Sequence, residues 1–207
     1  MKRFTEFDFG LTWIMEFFHQ DWSDYADSAT AAVQHQLVDE IDPQQVVSMR
    51  REAQLLLDKL PSDTIEILWR TGSSAENFFR SRPCATADSG SEWMATIIRI
   101  CDSWISGRDV PQLGGADAED GHDLKEEVLA EIQVAEYLDA EVRSALADCV
   151  RHCTPDLGLR ILLKMVALHC QGPVLSSEQY ARFERIGSAL HYGQFVVEAV
   201  DFQVTND

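Results

Sequence analysis

Residues 42–61 read DPQQVVSMRREAQLLLDKLP, and this stretch decides the fold. Asp42 stands as an N-cap. Pro43 takes the first helical position, where its fixed φ suits the helix and its missing N–H leaves nothing unpaired, and Gln45 completes a capping box. Val46, Met49, Ala53, Leu56, Leu57 and Leu60 follow at steps that place them on one helical face, and Pro61 stops the helix.

Working outward, the same grammar repeats. Downstream, Asp63 with Glu66 forms a second capping box before Ile65, Leu68 and Trp69, with Gly72 as terminator. Upstream, Leu11, Ile14, Met15 and Phe18 share a face. Asp21 or Ser23 caps a helix with Asp24 and Asp27 in its first turn, and Tyr25, Ala29, Val33, Leu37 and Ile41 form its stripe. Residues 73–91 are polar and Ser-rich and read as a loop, with Phe78 and Phe79 docking onto the bundle. Trp93, Ile97, Cys101, Trp104 and Ile105 mark a further helix, closed by Gly107. Strand alternation is absent from this half, so the expectation is a helical domain over residues 1–106.

Residues 107–122 contain Pro111, Gly114, Gly115 and Gly121 with few apolar side chains, and are expected to be a flexible linker. Helical spacing resumes in residues 123–207, the expected second domain. Leu124 to Leu138 comes first, then Val142, Leu146, Cys149 and Cys153. Thr154-Pro155 next opens the most apolar helix, and Ser176 with Gln179 starts another. Phe195-Val196-Val197 and Ala199-Val200 fit either a strand or a last helical turn. The fold class read from the sequence is all-α, with two small helical bundles.

Phe17-Phe18-His19-Gln20-Asp21-Trp22 resembles the signature near the start of contact-dependent growth inhibition (CDI) immunity proteins, commonly Tyr-Phe-His-Gln-Asp-Trp, with Phe17 standing where Tyr is usual. The likeness runs on through Leu60-Pro61 to the helix around Trp93. A second likeness covers residues 154–207. There Leu159-Arg160-Ile161-Leu162-Leu163, Tyr180-Ala181-Arg182-Phe183, Ile186-Gly187 and Leu190-His191-Tyr192-Gly193 are similar to the MafI-type immunity proteins of polymorphic toxin systems. These resemblances imply a small cytoplasmic protein that binds the carboxy-terminal domain of one cognate toxin and occludes its active site, with no catalysis and no cofactor. Phe17, Phe18, His19, Asp21 and Trp22 are expected to be architectural: His19 hydrogen-bonding in the turn, Asp21 capping, and Phe18 and Trp22 anchoring in the core.

Charge supplies the second clue. The 207 residues carry 35 acidic and 17 basic side chains, a net −18. Such a surface repels nucleic acid and anionic membranes and draws basic partners; a solubility role is the plainer account. The densest run spans residues 117–148, where eleven acids against Lys125 and Arg143 leave nine uncompensated. Asp117, Glu119, Asp120, Asp123, Glu126 and Glu127 are the candidate toxin-binding residues within it, matched to a basic toxin such as a nuclease. A solvated helix face is the competing account of the same run.

Other chemistry is sparsely supported. His19 with Asp21 resembles a fragment of a metal or general-base site, but no further ligand or nucleophile is marked nearby. Cys149 and Cys153 share a helical face, yet no second ligand pair has zinc-like spacing, and buried thiols are the expectation. His122-Asp123 lies in polar sequence without a supporting His and Asp pattern. The five cysteines (Cys84, Cys101, Cys149, Cys153 and Cys170) are not spaced as a secreted disulfide framework. No apolar run approaches the ~20 residues of a spanning helix, and no signal-peptide apolar region follows Met1-Lys2-Arg3. A metal-dependent hydrolase using His19, Asp21 or the cysteine pair, and an acidic helical scaffold, remain the alternatives.

Overall fold

The computed structural model describes residues 3–18, 22–73, 75, 78–79, 87–169 and 171–205. Among them are eleven α-helices and no strand, apart from one isolated parallel bridge between Leu175 and Val204. The fold is all-α. Its described residues divide into two compact units. One is Phe9–Leu113; the other joins Met1–Asp8 to Gly114–Asp207.

The first unit holds α1 (Gly10–Met15), α2 (Ala29–Gln36), α3 (Pro43–Lys59), α4 (Ser62–Gly72) and α5 (Gly90–Ile105). Helix α3 is the long central element and packs on α5 and α1. Its start follows the sequence: the Asp42 carboxylate accepts from the Gln44 N–H at 2.8 Å, and Pro43 follows. Gln45 does not close a capping box there. Its amide oxygen accepts from the Gly10 N–H at 3.2 Å, and the buried Glu52 carboxylate accepts from the Leu11 N–H at 2.7 Å. Two side chains of α3 thus serve the orphan donors at the start of α1. Gly10 allows this: its φ is +62°, and a Cβ there would sit 2.3 Å from the Glu52 carboxylate.

Two expected starts move. Helix α2 begins at Ala29 with Ser28 as its cap, accepting from the Ala31 N–H at 3.1 Å, while Trp22–Asp24 forms a separate 3-10 turn. Tyr25 therefore falls outside the buried stripe and is 76% exposed. Helix α4 starts behind Pro61, and the Glu66 carboxylate accepts from the Gly90 N–H at 3.1 Å instead of closing a local box. At Glu66, as at Gln45, a partner distant in sequence takes the polar group that local spacing assigned to a capping box.

The second unit holds α6 (Ala116–Glu119), α7 (Lys125–Val134), α8 (Ala140–His152), α9 (Pro155–Ala167), α10 (Ser177–Ala189) and α11 (Gln194–Glu198). Helix α9 is its core: residues 155–163 are all buried, against α8 and α7. Thr154 caps it through its hydroxyl, which accepts from the Leu157 N–H at 3.0 Å. Residues 194–198, left open between strand and helix, form α11.

The domain limits expected from composition also shift. The unit boundary falls inside residues 107–122, but α6 lies in that segment and belongs to the second unit, as do the first eight residues. Electrostatics accounts for the shift. Arg3 donates to Asp156 at 2.8 Å, to Asp117 at 3.1 Å and to the Leu190 carbonyl at 3.1 Å. Arg160 reaches Asp156 at 3.1 Å, and Lys164 reaches Asp8 at 2.9 Å. Arg3, Arg160 and Lys164 thus face Asp117, Asp156 and Asp8, and this pairing offsets the cost of taking such charges out of water.

Candidate functional site

The signature segment builds the core of the first unit. Phe18 is fully buried, and its ring meets those of Trp22, Trp69, Phe78 and Trp93 with centroids 5.4, 5.4, 5.4 and 5.8 Å away. Trp69 and Trp93, also fully buried, lie edge-on to each other at 5.3 Å. Edge-to-face rings at such separations add to area burial by roughly 0.5–1.5 kcal/mol a pair. Phe17 stands edge-on to Trp13 at 5.2 Å, and Trp22 is only half-buried at the rim. The expected roles of His19 and Asp21 lie outside the described residues.

The six acids assigned to toxin binding do not form one uniform surface. Asp117 is taken by Arg3, and Asp120 is buried, its carbonyl accepting from the Asp156 N–H at 3.2 Å. Glu127 pairs with Arg185, and Glu131, further along the run, is buried against Arg182. Glu119, Asp123 and Glu126 are exposed. The count over residues 117–148 missed these cations because they come from α10 and the amino terminus.

A second group of carboxylates gathers elsewhere. Helix α10 turns Arg182 and Arg185 toward acids of α7, while Tyr180, Glu184, Gly187 and Ser188 lie on another face at three- and four-residue steps. That face lines a groove of about 530 Å³, completed by Tyr192, Gln194, Val197, Glu198 and Asp201. Among the described residues no Lys, Arg or His lines it, although the Arg3 guanidinium lies over the Tyr192 ring, 5.8 Å from its centroid. Burial, and then Glu184, Asp201 and Glu198, push the Tyr180 phenol up. The Tyr192 hydroxyl donates to the Asp156 carbonyl at 3.1 Å, and burial raises it far above its usual range. Carboxylates beside aromatic faces suit an ammonium or guanidinium group.

Gly193 fixes the groove's edge against the amino-terminal segment. A Cβ at this position would sit 2.2 Å from the Glu6 Cα, so only glycine permits the approach. The Phe195 N–H donates to the Glu6 carbonyl at 2.9 Å, and the Gln194 N–H to the Glu6 carboxylate at 2.9 Å. Phe7 then stacks on Phe195, with centroids 4.8 Å apart and planes inclined by 18°. Both rings face solvent, at 61% and 41% exposure. Sequence reasoning passed over this face. Its acids are spread over α10, α11 and the turn Asp201–Gln203, and only Glu184, Glu198 and Asp201 together make a cluster.

Among the described residues no group of three or more His, Cys, Asp or Glu side chains could hold a metal ion. Cys101, Cys149 and Cys153 are buried, and burial pushes Cys101 up to about 12. His152 is exposed at the end of α8; Cys84 and Cys170 lie outside the described residues. Among the described residues no helix is long and apolar enough to cross a membrane. Comparison of the chain with protein-family models, with curated proteins and with solved structures finds no match.

Proposed function

We propose that this chain is a non-catalytic immunity protein that works in the cytoplasm, binding the carboxy-terminal domain of one cognate toxin and blocking its active site. The class comes from the resemblance of Phe17-Phe18-His19-Gln20-Asp21-Trp22 to the CDI immunity signature, and the MafI-like segments point the same way. The observation that carries the reading further is electrostatic. A chain of net −18 has an acidic, aromatic-lined groove with no cation among its described lining residues, while Asp117, Glu127 and Glu131 pair with arginines. That arrangement favours a basic partner, and a nuclease domain is the simplest toxin of that charge, because its active site must attract phosphate.

Growth tests this reading. Where a neighbouring gene encodes a large secreted protein with a variable carboxy-terminal domain, cells expressing that domain should survive only when the chain is co-expressed. The purified pair should form a stable complex in which the toxin is inactive. Growth arrest despite co-expression, with both proteins made and folded, would overturn it.

A further inference from the structure

The exposed Phe7–Phe195 stack is an apolar surface with a specific neighbour. Two large rings at 61% and 41% exposure lie together, and Phe202, on the adjoining turn, is 60% exposed. Isolated exposed apolar side chains are ordinary, but a stacked pair is held in place by the backbone. The Glu6 carbonyl accepts from the Phe195 N–H, and Gly193 admits the backbone at Glu6, next to Phe7. Phe195 sits between Gln194 and Val197, both of which line the groove. The apolar pair thus adjoins the α11 residues that line the cavity, without lining it.

Charge decides what could cover this face. The groove contributes Glu184, Glu198 and Asp201, with Tyr180 among them, and Glu6 stands beside the stack. The nearest arginines of α10, Arg182 and Arg185, are committed to Glu131 and Glu127. A second copy of this acidic face would be repelled, and so would nucleic acid or an anionic membrane. The chemistry that fits is a basic protein surface. It would present an arginine or lysine to the groove and apolar side chains to the rings. Aromatic anchors beside a desolvated charge pair are the usual composition of an interface centre.

We infer that the face formed by α10, α11 and residues 6–7 is the docking surface for a basic protein partner. A cationic side chain of that partner enters the groove between Glu184, Glu198 and Asp201, and its apolar residues pack on Phe7 and Phe195. This inference rests on the proposal that the chain binds a basic protein, and it moves the contact away from residues 117–127.

The probe is a blocked six-residue peptide alternating arginine and leucine, titrated into the whole chain at about 0.15 M salt. The wild type should bind it saturably, with amide shifts concentrated on Tyr180, Gly187, Gln194 and Glu198. Glu184→Gln/Glu198→Gln/Asp201→Asn and Phe7→Ala/Phe195→Ala should each weaken binding by about tenfold. Glu119→Gln/Asp123→Asn/Glu126→Gln removes the same formal charge elsewhere and should change it by less than about twofold. All these positions are exposed, and unchanged helicity and melting confirm the fold of each variant. Equal losses in the two charge variants, shifts centred outside α10 and α11, or no saturable binding would overturn the docking surface. The outcome is separable from the immunity reading: failed growth rescue leaves the peptide site standing, and rescue with an inert groove leaves the immunity role standing.

Discussion

Arg3 and Asp156, 153 residues apart, form a buried ion pair at 2.8 Å, so the amino terminus is fastened into the unit built from the other end of the chain. The same Asp156 carboxylate accepts from Arg160, and Asp117 holds the other arm of Arg3. Arg3→Ala leaves two carboxylates in place around a lost cation. The expected loss of stability is about 3–5 kcal/mol, the usual cost of breaking a buried pair from one side. Urea denaturation checks it, and a loss below about 1 kcal/mol would place the pair among weak surface bridges.

Nicking follows from the same connection. Residues 106–109 and 111–112 are exposed and outside any helix, so trypsin should cut after Arg108. A simple two-domain chain would then separate. Here the amino-terminal fragment still carries residues 3–8, and the two fragments should co-elute under native conditions. Arg3→Ala should loosen that association, and size exclusion of the nicked protein reads the result.

The aromatic core predicts a graded response in the signature. Phe18→Ala should cost about 3–5 kcal/mol, because four rings lose their common neighbour. Trp22→Ala should cost less, since Trp22 is only half-buried. Thermal melts of the two variants make the comparison. A larger loss at Trp22 would mean that the segment is anchored at the rim.

Alkaline pH offers a test through Cys101, whose thiol is raised from 9.0 to about 12, first by burial and then by Asp102. The folded state keeps this proton where the unfolded chain releases it, so unfolding sheds protons. The resulting stability is complete below pH 9 and declines as pH rises toward 12. Cys101→Ala should flatten that alkaline decline. Iodoacetamide at pH 8 should leave Cys101 unlabelled until the chain is denatured, with peptide mass spectrometry as the readout.

Association with the cognate toxin should be steered by charge. Raising salt from about 0.05 to about 0.5 M should slow binding markedly and alter dissociation less, since screening shortens the reach of the field. Stopped-flow fluorescence would measure both rates. A salt-independent association rate would remove the acidic surface from recognition.

The sequence alone determined the helices that carry a complete local signal. Asp42-Pro43 and Thr154-Pro155 each pair a side-chain cap with proline at the first helical position, and both open helices where expected. The apolar stripes of α3, α5 and α9 made the all-α class legible for the same reason, since helical spacing is a local property. Capping residues with an alternative partner were misread. Gln45 and Glu66 have the right local spacing, but they hydrogen-bond Gly10 and Gly90 across the fold.

What only the tertiary structure decided is which charges are left over. Counting acids along residues 117–148 gave a strong patch, yet Arg3, Arg182 and Arg185 arrive from distant segments to neutralise part of it. Glu184, Glu198 and Asp201 are unremarkable in sequence and become a cluster only when α10, α11 and the following turn fold together. Helix periodicity acts over a few residues and can be read from them. Coulomb interactions act over several ångströms in space between residues that the chain order separates, so pairing and exposure had to wait for the fold.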